Sequence, residues 1–511
     1  MKKAFWSLIL SALLISACQL FSFLPNQNAE PAPVNSPTLE AAPLEPDTID
    51  AEDELAIFRD GLIPTQQAAL DKLSGASLYS IQFTIRDDIT NTDGEEEVHY
   101  TNREDVPLDE IQFRLLPNVL NGEMKVASVR VNGQPFEPIY ELQNSLMRVP
   151  LYQALQPGES VDITLKFSVT VPTTIETNYG ILAYYEGVLT LAHSYPMIAV
   201  YDDEGWNAEI PPDQGDPTYA DASFFVVHVD APAELVLVGS GREIDHEENG
   251  SRQIVTYAAG PARDFFLAAS ADYEVVSQSF GDVTVNSYAP AGSSTGAQAA
   301  IDTAGRAIAF YSEQYAPYPY TEFDIVATPT YALGVEYPGV IAITNRIYNE
   351  DDSTYDTSNT LLMETTVAHE AGHQWFYNLV GNDQLDEPWL DESLTQFVTW
   401  QYYGNQHGER GATGFEESLY ARWSRVYENI PIGMPVSAYE GASYGAIVYG
   451  RGPLFFAALR DKMGEKNFDA FLKDYVASNS WGIGTGENMK KLAEKHCNCD
   501  LTRLFDQWVT P

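Results

Sequence analysis

Residues 365–397 read TTVAHEAGHQWFYNLVGNDQLDEPWLDESLTQF, and the placing of His369, Glu370, His373 and Glu392 within them governs how the rest of the chain is read. Residues four apart on a helix share a face, so His369 and His373 turn two imidazoles toward one point while Glu370 projects beside them. A catalytic zinc takes three protein donors and keeps one position open. A third histidine six residues after His373, with a glycine midway, would complete one kind of site, but Leu379 and Phe376 stand there. Glu392 completes the other kind. It opens the next helical segment after 18 intervening residues, enough for a helix end, a loop and a return. The start of a helix also suits a buried carboxylate. The competing reading, a polar patch in a very acidic chain, weakens once a glutamate at this spacing joins the two histidines. One zinc ion per chain, held by His369, His373 and Glu392, is the expectation.

The organisation on either side is that of a multi-domain α+β chain. From Leu78 short alternating runs such as YSIQFTIRD, VDITLKFSV and ASFFVVHVDAP, parted by turn residues, indicate an antiparallel, β-sandwich-like domain. A single amphipathic helix over 58–73 is expected to lead it, through Phe58, Leu62, Leu70 and Leu73. After Tyr273 the spacing turns helical in GAQAAIDTAGRAIAFYSEQYA, then strand-like in EFDIVAT and VEYPGVIAIT. Helices are expected over 359–380, stopping at Gly381, and over 388–403, stopping at Gly404. The expected division is 1–18 leader, 19–57 tether, 58–273 β domain and 274–511 catalytic domain, a small sheet followed by a helical body.

The first residues, MKKAFWSLILSALLISACQLF, carry Lys2 and Lys3 before an apolar run too short to span a bilayer comfortably. Small residues then lead to Cys18, the pattern of a bacterial lipoprotein leader in which that cysteine is lipidated. Residues 19–58 lack Lys, Arg and His and are rich in Pro, Ala and acids, as an extended tether would be. The chain is therefore expected outside the cytoplasm, held to a bacterial membrane through Cys18. A net charge of −45 speaks against nucleic-acid partners. Cys497 and Cys499, one residue apart, are read as either free thiols or a local disulfide.

The motif HEAGHQWFYNLV…EPWLDESLTQF resembles the gluzincin aminopeptidase family that includes aminopeptidase N and leukotriene hydrolase. The likeness covers about residues 78–508 and implies a thermolysin-like catalytic domain. LGVEYPGVI resembles the family's amine-binding strand, which implies that Glu336, with Gly334, binds a substrate's free α-amine. VYGRGPLFFAALRDKMG resembles the segment carrying the family's catalytic tyrosine, which implies Tyr449 near the scissile carbonyl; Tyr444 lies close by. Departures are Val335 and Tyr337 in the amine strand, and Asp391 and Ser393 around Glu392. No Gln or Glu in GVLTLAHSYP matches the amine contact that many relatives draw from the β domain, and His193 there is read as a packed core histidine. The long helical domain that caps larger relatives is not expected, so the cleft should be more open. Arg451 has no assigned role.

The resemblance implies a zinc aminopeptidase acting on peptides with a free N-terminus, with Glu370 as general base and Tyr449 as oxyanion donor. Two alternatives stand beside it. One is a zinc peptidase or hydrolase of altered specificity, such as an endopeptidase or an epoxide-opening enzyme. The other is a non-catalytic surface binding protein on the same fold.

Overall fold

The computed structural model describes residues 55–175, 178–426 and 430–510. The leader with Cys18, and all but the end of the 19–57 segment, lie outside the described residues. The described residues form one compact unit.

Among the described residues two large hydrophobic cores are built, with a small third cluster of Phe415, Leu419 and Leu454. The first lies among three sheets of the N-terminal half. An eight-stranded sheet runs in the spatial order 242–249, 252–262, 223–232, 78–85, 91–101, 160–170, 123–131 and 134–136. Alternate residues such as Ile81, Val227 and Ile163 point inward from it, against Phe113 and Val149 of one four-stranded sheet and Leu189 and Leu267 of another. The sheet is not wholly antiparallel as expected. Leu78–Ile85 and Ser223–Pro232 pair in parallel, because the chain builds most of the domain before returning to the first strand's open edge. Alternation shows which residues are buried but not strand direction.

One residue breaks the apolar pattern of that core. Glu96 pairs with Ile81 on one side and Leu165 on the other, is fully buried, and neither carboxylate oxygen has a hydrogen-bond partner. Burial pushes its carboxyl well above the usual range. At pH values below the unfolded-state pKa the group is neutral in both states. As pH rises past that value the unfolded chain releases the proton while the folded chain keeps it, so stability falls by about 1.4 kcal/mol per pH unit until the folded pKa is reached. Glu96→Met, which also removes an unsatisfied polar group costing roughly 1–3 kcal/mol, is expected to be more stable than the parent at pH 8. Its advantage should shrink toward pH 4.5 in urea unfolding; an advantage independent of pH would show that Glu96 ionises freely in the folded chain.

The second core carries the cleft. Its sheet contains β1 (Tyr273–Phe280), β2 (Val283–Pro290), β3 (Glu322–Thr328), β4 (Gly334–Tyr337) and β5 (Val340–Thr344), in the spatial order β1-β2-β3-β5-β4. Helix α1 (Ser294–Gln314) links the parallel strands β2 and β3 and buries Ile301, Ala304, Ile308 and Tyr311 at three- and four-residue steps. VEYPGVIAIT, read as one strand, is a hairpin: Gly339, with φ +74°, turns β4 back along β5 and leaves β4 at the edge.

The expected helix over 58–73 is two short helices, Ala56–Arg59 and Ala68–Lys72. Pro64 disfavours helical geometry at Ile63 and interrupts the run. Phe58, Leu62, Leu70 and Leu73 are buried, but in the second core, and Ile63 N–H donates to Pro319 O. Cys497 and Cys499 form a disulfide.

Candidate active site

The helix that presents the two histidines, α2 (Asn359–Gly372), packs Met363, Val367, Ala368 and Ala371 into the second core. Tyr311 of α1 donates to Ala368 O at 3.0 Å, fixing the turn that bears His369. The helix ends at Gly372 with His373 as its cap, well short of the expected 380. The early end has a function: it frees Phe376 O to accept from His373 Nδ1 at 3.0 Å. That bond places the ring hydrogen on Nδ1 and leaves the Nε2 lone pair facing the cleft.

Glu392 comes from a π-helical turn, Trp389–Ser393, that leads into α3 (Leu394–Trp423). A second π-helical turn, Ile447–Arg451, carries Tyr449. The turns are joined by Ser393 Oγ, which donates to Val448 O at 2.6 Å, and Tyr449 Oη donates to Glu392 Oε1. Tyr444 packs edge-on against Tyr449 at 5.8 Å. Widened turns of this kind are frequent at functional sites and leave no trace in residue order.

His369 Nε2, His373 Nε2 and Glu392 Oε2 form a nearly equilateral triangle, with separations of 3.2, 3.1 and 3.3 Å. Three donors around a tetrahedral zinc with bonds of about 2.0–2.1 Å stand about 3.3–3.4 Å apart. The triangle therefore fits that ion closely. Burial works to raise the Glu392 carboxyl, but the two imidazoles overcome it and hold the group below the usual carboxylate range.

Glu370 and Glu336 lie on one side of this triangle, their carboxylates and a His373 nitrogen all within 4.8 Å of one another. Burial pushes both acids well up; Glu336 and Glu392 add to the rise at Glu370, and Asp216, Glu392 and Asp391 to that at Glu336. Glu370 reaches the edge strand so closely that a Cβ on Gly334 would stand 2.4 Å from its Oε1. Gly334 is thus the space that Glu370 fills. Gln374, fully buried behind His373, donates to Tyr337 O and accepts from Gly339 N–H, both at 2.9 Å. It locks the β4–β5 hairpin, and hence Glu336, to the histidine segment. Gln384 bridges Glu336 (3.2 Å) and Asp391 (2.8 Å), and Asp391 accepts from Glu392 N–H at 2.8 Å.

The cleft is a cavity of about 320 Å³, at the small end for a ligand site. One wall belongs to the β domain: Tyr179, Ile181 and Asp216 line it. Asp216 was not singled out from the sequence. Its loop is fastened where His193 Nε2 meets Thr218 Oγ1 at 2.9 Å and where Gln214 donates to Tyr439 O at 2.8 Å. His193 is buried, as a packed histidine should be. Burial and the neighbouring Glu392 and Asp391 raise the Asp216 carboxyl well above its ordinary value. Gln374, Gln384, Asp216 and Arg422 were all missed; none sits at a distinctive spacing from the histidines. Arg451 binds Ile430 O, Trp508 O and Gln507 O and stacks on Trp508, which makes it an anchor for the C-terminal segment and not a cleft residue.

Residues 299–508 match the peptidase family M1 domain. The chain carries an M1 domain. The matched family is one of zinc metallopeptidases, in keeping with the donor triangle. Aminopeptidase M1 of Arabidopsis thaliana is 26% identical over 298 residues, covering 56% of this chain and 34% of that protein. Aminopeptidase 2 of Candida albicans is 22% identical over 426 residues, covering 76% of this chain and 42% of that one. The chain thus spans well under half the length of these relatives. The M1 zinc metallopeptidase of Deinococcus radiodurans shares the fold, with a TM-score of 0.65 at 20% identity over 85% of this chain and 93% of that chain. The M1 domain begins within α1, so β1, β2 and the Asp216 wall lie before the matched segment.

Proposed function

We propose that this protein is a zinc aminopeptidase that removes N-terminal residues from peptides. The observation carrying the reading is the donor triangle with Glu336, on an edge strand, one side chain away from it: His373 Nδ1 lies 4.0 Å from Glu336 Oε1. A peptide ammonium held by Glu336 brings the first peptide bond over the triangle. The free edge of β4 offers backbone groups to pair with the substrate. Asp216 adds a second carboxylate from the β-domain side of the cleft. The names of the relatives, aminopeptidases from a plant and a yeast, support the same reading.

A bound zinc supplies Lewis acidity, making water acidic enough to lose a proton near neutral pH and polarising a carbonyl. Glu370 takes the proton from the attacking water and delivers it to the leaving amine. Tyr449 turns its hydroxyl from Glu392 to the oxygen on which charge builds. Glu336 and Asp216 hold the ammonium in place throughout. The test is metal analysis of the purified chain joined to a panel of aminoacyl reporter substrates and their acetylated counterparts. One zinc per chain and at least a hundredfold preference for the free amine are expected; equal cleavage of acetylated substrates would move the assignment to an endopeptidase or another hydrolase.

The protein acts outside the cytoplasm on a lipid anchor, a proposal supported by Lys2, Lys3, the apolar run and Cys18. Retention of a Cys18→Ala variant in the membrane fraction would contradict it.

A further inference from the structure

Four carboxylates, those of Asp216, Glu336, Glu370 and Glu392, line the cleft, and one lining residue departs from that chemistry. Arg422 is the one Lys or Arg side chain among the described residues that line the cavity. It reaches the cleft because α3 is folded on itself. Gly408, at φ +69° and ψ −165°, breaks the helix into two arms. The first arm passes Gly404, where a stop was expected, and the second runs back along it. Trp400 Nε1 donates across the pair to Ala412 O at 2.8 Å, and a Cβ on Gly404 would stand 3.1 Å from that of Ala412. The doubling brings Phe415 and Arg422 beside Gln396, one turn beyond Glu392.

The Arg422 guanidinium lies 5.8 Å from the centre of the Tyr449 ring. That ring is 6.0 Å from the His369 ring. Arg422 thus adjoins Tyr449, which neighbours His369, while Glu336 adjoins His373, so the site offers a cation near one donor and a carboxylate beside another. Among the described residues Arg422 has neither a hydrogen bond nor an ion pair at salt-bridge distance, in a chain with 73 acids and 28 Lys and Arg. A guanidinium that lines a cavity with its donors unspent is matched by a planar, bidentate acceptor. An extended dipeptide offers one: it carries an ammonium at one end and a carboxylate about 7 Å away.

We infer that Arg422 binds the C-terminal carboxylate of very short peptides, so that dipeptides with both ends free are the preferred substrates of this cleft. The inference rests on the aminopeptidase reading and names the substrate class for it. The ammonium is held by Glu336 and Asp216, the peptide bond lies over the donor triangle beside Glu370 and Tyr449, and the carboxylate of the second residue meets Arg422. Phe415 and Gln396 then border the second side chain. A longer peptide places a backbone carbonyl, a weaker partner, where the carboxylate would sit.

The experiment compares kcat/KM of the zinc-loaded full chain for Ala-Ala, Ala-Ala amide and Ala-Ala-Ala-Ala. The free dipeptide is expected to exceed its amide by about 10- to 100-fold, the range of one charge-assisted contact worth 1.4–2.8 kcal/mol. In Arg422→Met the ratio should fall to near one, and Arg422→Lys should restore part of it. If Arg422 served only to steady the Tyr449 ring, acid and amide would slow together and the ratio would stand, which would overturn the inference. An amide cleaved as well as the acid by the parent protein would overturn it whatever the variants do, while leaving the aminopeptidase reading intact. Absence of activity on all three peptides with zinc bound would instead sink that reading and this one with it. Calorimetric titration of Glu370→Gln with Ala-Ala gives a readout apart from turnover: adding Arg422→Met should weaken binding of the dipeptide, and not of its amide, by a similar factor.

Discussion

Glu370→Gln is expected to lower kcat by about 10²–10⁴-fold while leaving one zinc per chain. The size follows from what the substitution removes. Glutamine keeps the length and shape of the side chain, so it still fits against Gly334, where the glutamate fills the space a Cβ would need. What is lost is a group able to take a proton. The fall corresponds to roughly 3–5.5 kcal/mol of transition-state stabilisation. KM should change little, because the proposed contacts to the ammonium are Glu336 and Asp216 and not Glu370. Metal analysis beside the kinetics separates this outcome from loss of the ion. A decrease smaller than tenfold with zinc retained would assign proton transfer to another group. Glu370→Asp supplies a contrast: it keeps the acid but draws it back by one methylene from β4, so it should fall between parent and amide.

The legibility of this site in the sequence divides along a physical line. His369, His373 and Glu392 were readable because helical periodicity turns a spacing of four into a shared face, and because a third donor needs only a return of the chain. Glu336 and Tyr449 came from resemblance and not from spacing, and the structure lines both on the cleft. Asp216 and Arg422 were not readable. The first stands on a loop of the other half of the chain. The second is brought in by a break at Gly408, where the residues marked as punctuation were Gly381 and Gly404. Gly404 lies instead inside a helix, and its lack of a side chain serves close packing against Ala412. The end of α2 at Gly372 was missed for a related reason. WFYNLV continues an apolar pattern, yet Tyr377 takes φ 141° and the chain turns so that Phe376 O meets His373. Burial periodicity shows which side chains are inside, whereas helix ends there are set by what the donor needs behind it. The same gap hid the parallel pairing of Leu78–Ile85 with Ser223–Pro232.

His373→Ala is expected to abolish both metal binding and activity, and to do so more completely than loss of any other single donor. His373 is fully buried, its Nε2 stands 3.2 Å from His369 Nε2 and 3.3 Å from Glu392 Oε2, and its Nδ1 lies 4.0 Å from Glu336 Oε1. Removing the imidazole takes one of three donors and also the neighbour on which both carboxylates lean, in a place too dry to screen them. Two donors remain, short of the three that a catalytic zinc site uses. After dialysis against metal-free buffer the parent should retain about one zinc per chain and the variant close to none. Thermal unfolding gives an independent readout, since a ligand at 1,000 times its Kd stabilises the folded state by about 4 kcal/mol. Added zinc should therefore raise the Tm of the stripped parent and leave that of His373→Ala unmoved. A zinc-dependent rise of equal size in the variant would place the ion elsewhere in the chain, since His373 belongs both to the donor triangle and to the neighbouring cluster with Glu336 and Glu370. Because Gln374 locks the hairpin through its own bonds to Tyr337 O and Gly339 N–H, the edge strand should keep its place when His373 is gone. The loss then reads as loss of the donor and not of the fold around it.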